Sequence, residues 1–206
     1  MPEGPEVKIA SDYFNSFFKK SKSIKFEIIS EYYSNKYFEV FNTVKKNLKL
    51  FKPTYTIGKN IFLDLDNKEI FNFHLGMTGG WSKDLIKHCH FSVFDKKKEL
   101  FFKDVRKFGK MKIITKTEQI ERFNSSFDIL SSDYDIKNHV KYLREKIRDE
   151  KSICSLIMNQ KYFPGIGNYI KSEALYLTKI HPEEKWKNMK SRKINPLIKN
   201  LQKVMH

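Results

Sequence analysis

The period of the hydrophobic pattern changes near Ser131-Ser132-Asp133, and nothing else in the chain constrains the fold as strongly. Before that point apolar residues alternate with a period of two, the spacing of strands that bury one face. Ile61, Leu63 and Leu65 alternate with Phe62, Asp64 and Asp66. After the turn residues Asp66-Asn67-Lys68, Ile70–Leu75 resumes the pattern and sets Phe71, Phe73 and Leu75 against Asn72 and His74. Ile24–Tyr33, β-branched and aromatic, reads as a strand. Phe91–Phe94 and Leu100–Lys103, around Asp95–Lys98, read as a hairpin, and Met111–Thr115 as a further strand. One helix precedes them: Val7, Ala10, Phe14 and Phe17/Phe18 recur at helical spacing between Gly4 and Lys19.

Beyond the change, Ile136–Arg148, Ile153–Gln160, Asn168–Thr178 and Pro196–Met205 all carry helical spacing. Ser152 and Asn195-Pro196 supply helix-start chemistry. The pattern therefore predicts an α+β chain. A β-sandwich domain with an N-terminal helix covers 1–130, and an all-helical domain covers 131–206.

Lys plus Arg total 40 against 24 Asp plus Glu, a net charge of +16 that favours a polyanionic partner. Cys89 and Cys154 are the two cysteines and form no CxxC pair, so spacing writes neither a zinc site nor a disulfide framework. The start of the chain lacks the apolar core of a signal peptide, and no apolar run reaches membrane-span length. The expectation is an intracellular protein without a membrane partner.

The chain opens Met1-Pro2-Glu3-Gly4-Pro5-Glu6. Removal of Met1 would leave Pro2 with a free secondary amine. An α-amino group titrates about two to three pH units below a lysine, so part of it is neutral and nucleophilic near pH 7. Glu3 and Glu6 lie within one turn as proton carriers. The same residues also suit a plain helix start, with acids at the positive end of the helix dipole. Phe163-Pro164-Gly165-Ile166-Gly167-Asn168 runs through two glycines straight into a helix, a turn that suits either an anion such as a DNA phosphate or a tight interhelical connection capped by Asn168. His74-Leu75-Gly76-Met77-Thr78-Gly79-Gly80-Trp81 places large apolar residues on a glycine-rich loop, as base-step wedges or as core residues beside a bulge. Asp104-Val105-Arg106-Lys107-Phe108-Gly109-Lys110 mixes cations with an aromatic, the composition of a nucleic-acid contact or of an ordinary hairpin end. Lys87-His88-Cys89-His90 could suggest a metal site, but the expectation is that His88 and His90 do not share a metal. Lys59, after Gly58, heads a strand.

Taken in order, these motifs resemble the formamidopyrimidine-DNA glycosylase/endonuclease VIII family of base-excision repair enzymes, over nearly the whole chain. The resemblance rests on Pro-Glu-Gly-Pro-Glu-Val at the start, Gly58-Lys59, the His-Leu-Gly-Met-Thr-Gly loop, Lys87-His88-Cys89-His90, Asp-x-Arg-Lys-Phe-Gly, Gly165-Ile166-Gly167-Asn168-Tyr169 with Glu173, and Ile180-His181-Pro182. It implies a β-sandwich domain and a helical domain with a helix–two-turns–helix motif, with damaged DNA as partner of a monomer. It implies Pro2 as nucleophile at the sugar C1′, Glu3 as proton carrier and Glu6 in support. Lys59, His88 and Asn168 would hold the DNA backbone, while Met77, Arg106 and Phe108 would fill the hole left by an extruded nucleotide. The implied activity is bifunctional: removal of oxidised bases, pyrimidines favoured, then strand cleavage by β/δ-elimination. No metal or redox cofactor enters that chemistry.

Members of the family usually carry a C-terminal zinc finger or a metal-free equivalent, whereas this sequence runs to Leu201-Gln202-Lys203-Val204-Met205-His206 without a CxxC pair. The rival expectation on the same scaffold is a non-catalytic DNA-binding or damage-sensing module.

Overall fold

A computed structural model describes residues 1–147 and 150–206. The chain divides into two compact units, Met1–Pro2 with Glu6–Gln119, and Glu3–Pro5 with Ile120–His206.

The first unit is a β-sandwich. Helix α1 (Gly4–Phe18) is followed by β1 (Lys25–Ile28), α2 (Glu31–Asn47), β2 (Tyr55–Ile57), β3 (Asn60–Asp64), β4 (Glu69–His74), β5 (Gly79–Ser82), β6 (Cys89–Phe94), β7 (Glu99–Asp104) and β8 (Lys110–Thr115). One sheet runs β1-β6-β7-β5 and the other β2-β3-β4-β8, with antiparallel neighbours throughout. The two expected hairpins form. Ile61 faces Phe73 and Leu63 faces Phe71 across β3 and β4, and Val93 faces Leu100 across β6 and β7. The core between the sheets is aromatic: Phe14, Phe18, Phe26, Phe71, Phe91 and Phe102 are buried, and the Phe91 and Phe102 rings stack at 4.8 Å. Each such ring stabilises the unit by roughly 1.5–3 kcal/mol.

The expected strand Ile24–Tyr33 is corrected. Only Lys25–Ile28 is extended, and Ser30 then starts a helix of 17 residues. The Ser30 hydroxyl accepts from the Tyr33 amide at 3.3 Å, which satisfies one of the unpaired donors of the first turn. Tyr33, Tyr37, Phe41 and Val44 follow at helical spacing and are buried. Their β propensity is overridden because one helix face delivers all four to the core.

In the second unit α3 (Lys116–Arg122), which begins on residues of the first, leads to α4 (Ile136–Lys146), α5 (Ile153–Ile157), α6 (Asn168–Thr178) and α7 (Ser191–Met205). The expected end of the second-half's first helix, Arg148, lies outside the described residues. Helix α5 stops at Ile157, short of Gln160, and α7 begins before the predicted Pro196. Pro196 is exposed within α7, so the backbone bond its missing N–H forfeits faces water. Ile194, Leu197, Ile198, Leu201 and Met205 form the buried stripe that outweighs it. The core here is mainly aliphatic, with Leu143, Ile153, Ile157, Ile166 and Ile170. His139 is fully buried in it. Its Nε2–H donates to the Tyr162 carbonyl at 2.7 Å, and Nδ1 accepts from the Tyr134 hydroxyl at 2.8 Å. Among the described residues, no helix is long and apolar enough to cross a membrane.

Candidate functional site

In the sandwich unit the chain reversals after β4 and β7 meet. Met77 lies between β4 and β5, and Arg106 and Phe108 lie between β7 and β8. Met77 is 38% exposed and Phe108 47%, so neither is a core residue. The Arg106 guanidinium lies 4.8 Å over the Phe108 ring, a cation–π contact that keeps both side chains at the surface. Trp81, the other large residue of the glycine loop, turns inward, packs on Phe14 at 5.0 Å and donates from Nε1 to the Ala10 carbonyl at 3.1 Å. The loop thus divides its two large residues, one to the core and one outward.

Lys59 is buried, with 6% exposure, at the turn between β2 and β3. Its neighbour Asn60 pairs with His74, and His74 pairs with Lys110. Burial, then Lys110, then Lys59 push the pKa of His74 below its usual range. The Gly76 amide donates to His74 Nδ1 at 2.9 Å, so neutral His74 carries its proton on Nε2. Lys59, His74 and Lys110 therefore gather cationic and N–H donors at one end of the sheet. The sequence reading places His74 at the end of a strand and in the loop that follows, and gives it no role of its own. The register of the hairpin around Asn67 was the signal that would have placed it beside Lys59.

His88, the residue expected to hold backbone with Lys59, takes the left-handed conformation at φ 71° just before β6, and its carbonyl accepts from the Asp104 amide at 3.0 Å. His90 is buried. It donates from Nε2 to the Asp104 carbonyl at 2.9 Å and accepts at Nδ1 from Ser30 at 2.8 Å. Among the described residues, no group of three or more His, Cys, Asp or Glu is placed to hold a metal ion.

In the helical unit the Gly165–Asn168 turn does lead directly into α6, whose N-cap is Gly167. Its amides already face an anion, the side chain of Glu3. Glu3 is 3% exposed and accepts from Gly167 N–H at 2.7 Å, Tyr169 N–H at 3.0 Å and Ile170 N–H at 3.4 Å. A carboxylate is thus supplied to the positive end of the helix from the far end of the chain. A Cβ on Gly167 would overlap the Glu3 carboxyl group, so the close approach requires glycine. The Gly4 amide also donates to the Gly165 carbonyl at 2.8 Å. Asn168 keeps its side chain outside this ring of amides, where its Oδ1 accepts from Lys171 at 2.8 Å. Met1 is exposed, Pro2 half-buried, and Glu6 lies exposed in the first turn of α1.

A two-sheet sandwich joined to a helical unit, with a glycine turn that receives Glu3, the first acid of the chain start, defines a fold shared with known proteins. Residues 1–111 match the formamidopyrimidine-DNA glycosylase N-terminal domain, and residues 127–206 match the formamidopyrimidine-DNA glycosylase H2TH domain. The chain belongs to the formamidopyrimidine-DNA glycosylase family, as the ordered motifs implied. It is 33% identical over 159 residues to a formamidopyrimidine-DNA glycosylase of Rickettsia felis, an overlap of 72% of this chain and 55% of the relative. It is 31% identical over 159 residues to one of Rickettsia bellii, covering 72% of this chain and 56% of that one. The chain spans about half the length of these curated relatives. The structure of MutM in complex with carbocyclic 8-oxo-G containing DNA superposes with a TM-score of 0.79 at 24% identity, over 99% of this chain and 79% of that one. The complex between the Lactococcus lactis Fpg and an abasic site containing DNA gives 0.78 at 24% identity, over 98% of this chain and 76% of that one.

Proposed function

We propose that the protein is a bifunctional DNA glycosylase/AP lyase acting on oxidised bases. The observation that carries the proposal is the Glu3 carboxylate. It is buried, held by three backbone amides, and joined by one peptide bond to a proline that Met1 removal would make the terminus. In this reading the Pro2 amine attacks the sugar C1′, the N-glycosidic bond breaks, and the base leaves with a proton. The ring opens to an iminium as Glu3 passes a proton to the ring oxygen. The iminium acidifies the C2′ hydrogen. Loss of that proton expels the 3′ phosphate, and a second elimination expels the 5′ phosphate. These steps are acid–base and nucleophilic and call for no metal or redox cofactor.

Damaged DNA is the proposed partner. Lys59, His74 and Lys110 contact backbone phosphate in this reading, with His74 in the place first given to His88, because His74 is the residue gathered with the two lysines. Asn168 adds an amide donor to the DNA backbone. Met77, Arg106 and Phe108 fill the gap left by an extruded nucleotide, whose weakened pairing lowers the cost of flipping. The endonuclease VIII resemblance favours oxidised pyrimidines as lesions. The formamidopyrimidine-DNA glycosylase relatives favour formamidopyrimidines, and the MutM complex with DNA favours 8-oxo-G.

The test is borohydride trapping of protein whose Met1 removal has been verified by mass. The duplexes carry an abasic site, thymine glycol, a formamidopyrimidine or 8-oxoguanine. A covalent adduct that disappears in Pro2→Gly is expected, and the lesion giving the fastest adduct sets the preference. Binding to these duplexes without any adduct would overturn the enzyme reading in favour of a damage-sensing module.

A further inference from the structure

We propose that Asp104 and Thr78 form a latch that sets Met77, Arg106 and Phe108 as a single wedge. The action of the wedge on DNA rests on the function proposed above, but the latch itself is a property of the free protein. Asp104 is fully buried at the end of β7. Its Oδ1 accepts from the Thr78 hydroxyl at 2.6 Å, and its Oδ2 accepts from the Gly109 amide at 2.7 Å and the Tyr33 hydroxyl at 3.5 Å. The Thr78 Oγ1 in turn accepts from the Arg106 amide at 3.0 Å. One carboxylate and one hydroxyl therefore connect two loops that are 26 residues apart in sequence.

A second contact closes the other side of Met77. Gly76 is left-handed at φ +68°, and a Cβ placed there would come within 2.5 Å of the Phe108 carbonyl carbon and 2.7 Å of its oxygen. Met77 is thus flanked by Thr78, hydrogen-bonded to the Arg106–Gly109 loop, and by Gly76, packed closely against its backbone. The layer beneath is anchored as well. Tyr37 donates to the Gly109 carbonyl at 2.8 Å, and Tyr33 stacks on His90 at 4.4 Å while His90 holds the Asp104 carbonyl.

A wedge between base steps works against the tendency of the bases to restack. Two independent loops would each lose conformational freedom on insertion, whereas two loops already joined lose much less. Charge-assisted bonds to a buried carboxylate are short and directional, which suits a joint of this kind. Asp104 and Thr78 are positioning residues here, since they act through the side chains beside them and touch no reacting atom.

The test uses Thr78→Val, which removes the hydroxyl at constant shape, and Thr78→Ser, which restores it. In free protein with 13C-methyl methionine, Thr78→Val should speed Arg106 amide exchange about tenfold, the scale of one hydrogen bond, and change the relaxation of the Met77 methyl. Thr78→Ser should return both to wild-type values. On DNA, Thr78→Val should slow excision of an intact lesion about tenfold while changing adduct formation on a ready-made abasic site by less than about twofold, since no base then has to be expelled. Unchanged Arg106 exchange and Met77 relaxation in Thr78→Val would overturn the latch. So would an equal fall on both DNA substrates with both loops undisturbed. A wild type that traps no DNA refutes the proposed function instead, and the free-protein measurement still decides the latch.

Discussion

Each unit of the molecule uses a buried carboxylate to tie separate segments together, Glu3 in the helical unit and Asp104 in the sandwich, and the two differ in what they gather. In the helical unit Glu3 collects three main-chain amides from one stretch, Gly167 to Ile170, at the start of α6. Its partners are 164 to 167 residues away in sequence, so the contact exists only once the whole chain has folded. In the sandwich unit Asp104 collects a hydroxyl and an amide from two different loops, 26 and 5 residues away. Glu3 completes a helix, and Asp104 joins two surface loops. An acid that completes a helix near a potential nucleophile couples stability to chemistry, whereas an acid behind a wedge couples it to shape.

Breaking the first carboxylate should therefore cost most. Glu3→Gln replaces one acceptor oxygen by a donor facing amide donors. On the proposed mechanism, in which Glu3 carries the proton, a loss of about 100-fold or more in lesion excision is expected. Destabilisation of about 3 kcal/mol is expected from the unpaired buried amides, read by urea unfolding. Gly167→Ala should reproduce the stability loss without touching the acid, because its Cβ overlaps the Glu3 carboxyl. Full stability in Gly167→Ala would mean that Glu3 does not hold the helix start.

Acid separates the units in another way. Burial lowers the pKa of His139 from its usual 6.5 to about 4, with the bond to the Tyr162 carbonyl opposing the shift. A histidine depressed in the fold stabilises it fully above pH 6.5. That stability is lost as pH falls from 6.5 toward 4, because the unfolded chain takes up the proton first. The loss amounts to about 3 kcal/mol at pH 4 and should be reduced in His139→Gln, measured as the pH dependence of urea unfolding. In the sandwich two histidines, His74 and His90, are lowered by burial in the same direction, with Asp104 opposing the shift at His90 alone, so its acid sensitivity is shared between two residues. Equal losses in His139→Gln and wild type would remove this distinction.

Asp104→Asn should cost about 2 kcal/mol, since one amide proton of the new side chain must face either Gly109 N–H or the Thr78 hydroxyl. The size decides how the carboxylates compare. A cost as large as that of Glu3→Gln would make the latch a folding element first and a shaping element second.

Much of this arrangement is legible in the sequence, and the failures share a cause. Alternation in Ile61–Leu65 and the turn at Asp66-Asn67-Lys68 predicted β3 and β4, although the structure buries both faces of these strands, with Phe62 and Ile70 as buried as Ile61 and Phe71. The start of α6 at Asn168 followed from the two glycines. Helix α2 was hidden because Tyr and Phe favour strands locally, and only their four-residue spacing betrays the helix. The sequence leaves the turn at Gly165–Asn168 open between an anion site and a tight interhelical connection; its amides receive Glu3, and no local pattern connects residues 164 positions apart. Asp104 and Thr78 were visible as motif letters. Their bond was not, because it depends on two loops that meet only when the sandwich closes.

The smallest expected effect tests whether Glu3 differs in kind from an ordinary helix cap. Helix α4 begins at Asp135, whose side chain accepts from the Asn138 amide at 2.7 Å, and α5 begins at Ser152, which accepts from Ser155 at 3.3 Å. These caps are local, three residues from their donors, and open to water that can replace them. Asp135→Ala should therefore cost about 1 kcal/mol, the usual worth of an N-cap. Helix α6 has no side-chain cap of its own at Gly167, and the Gly167 and Ile170 bonds to Glu3 are buried, so water cannot substitute for it. The ratio of the Glu3→Ala to the Asp135→Ala cost, both from urea unfolding, should be about three or more. A ratio near one would reduce Glu3 to a cap that happens to come from far away. A ratio well above it means that the helix start is built around an acid delivered from the first residues of the chain, the arrangement the proposed Pro2 nucleophile calls for.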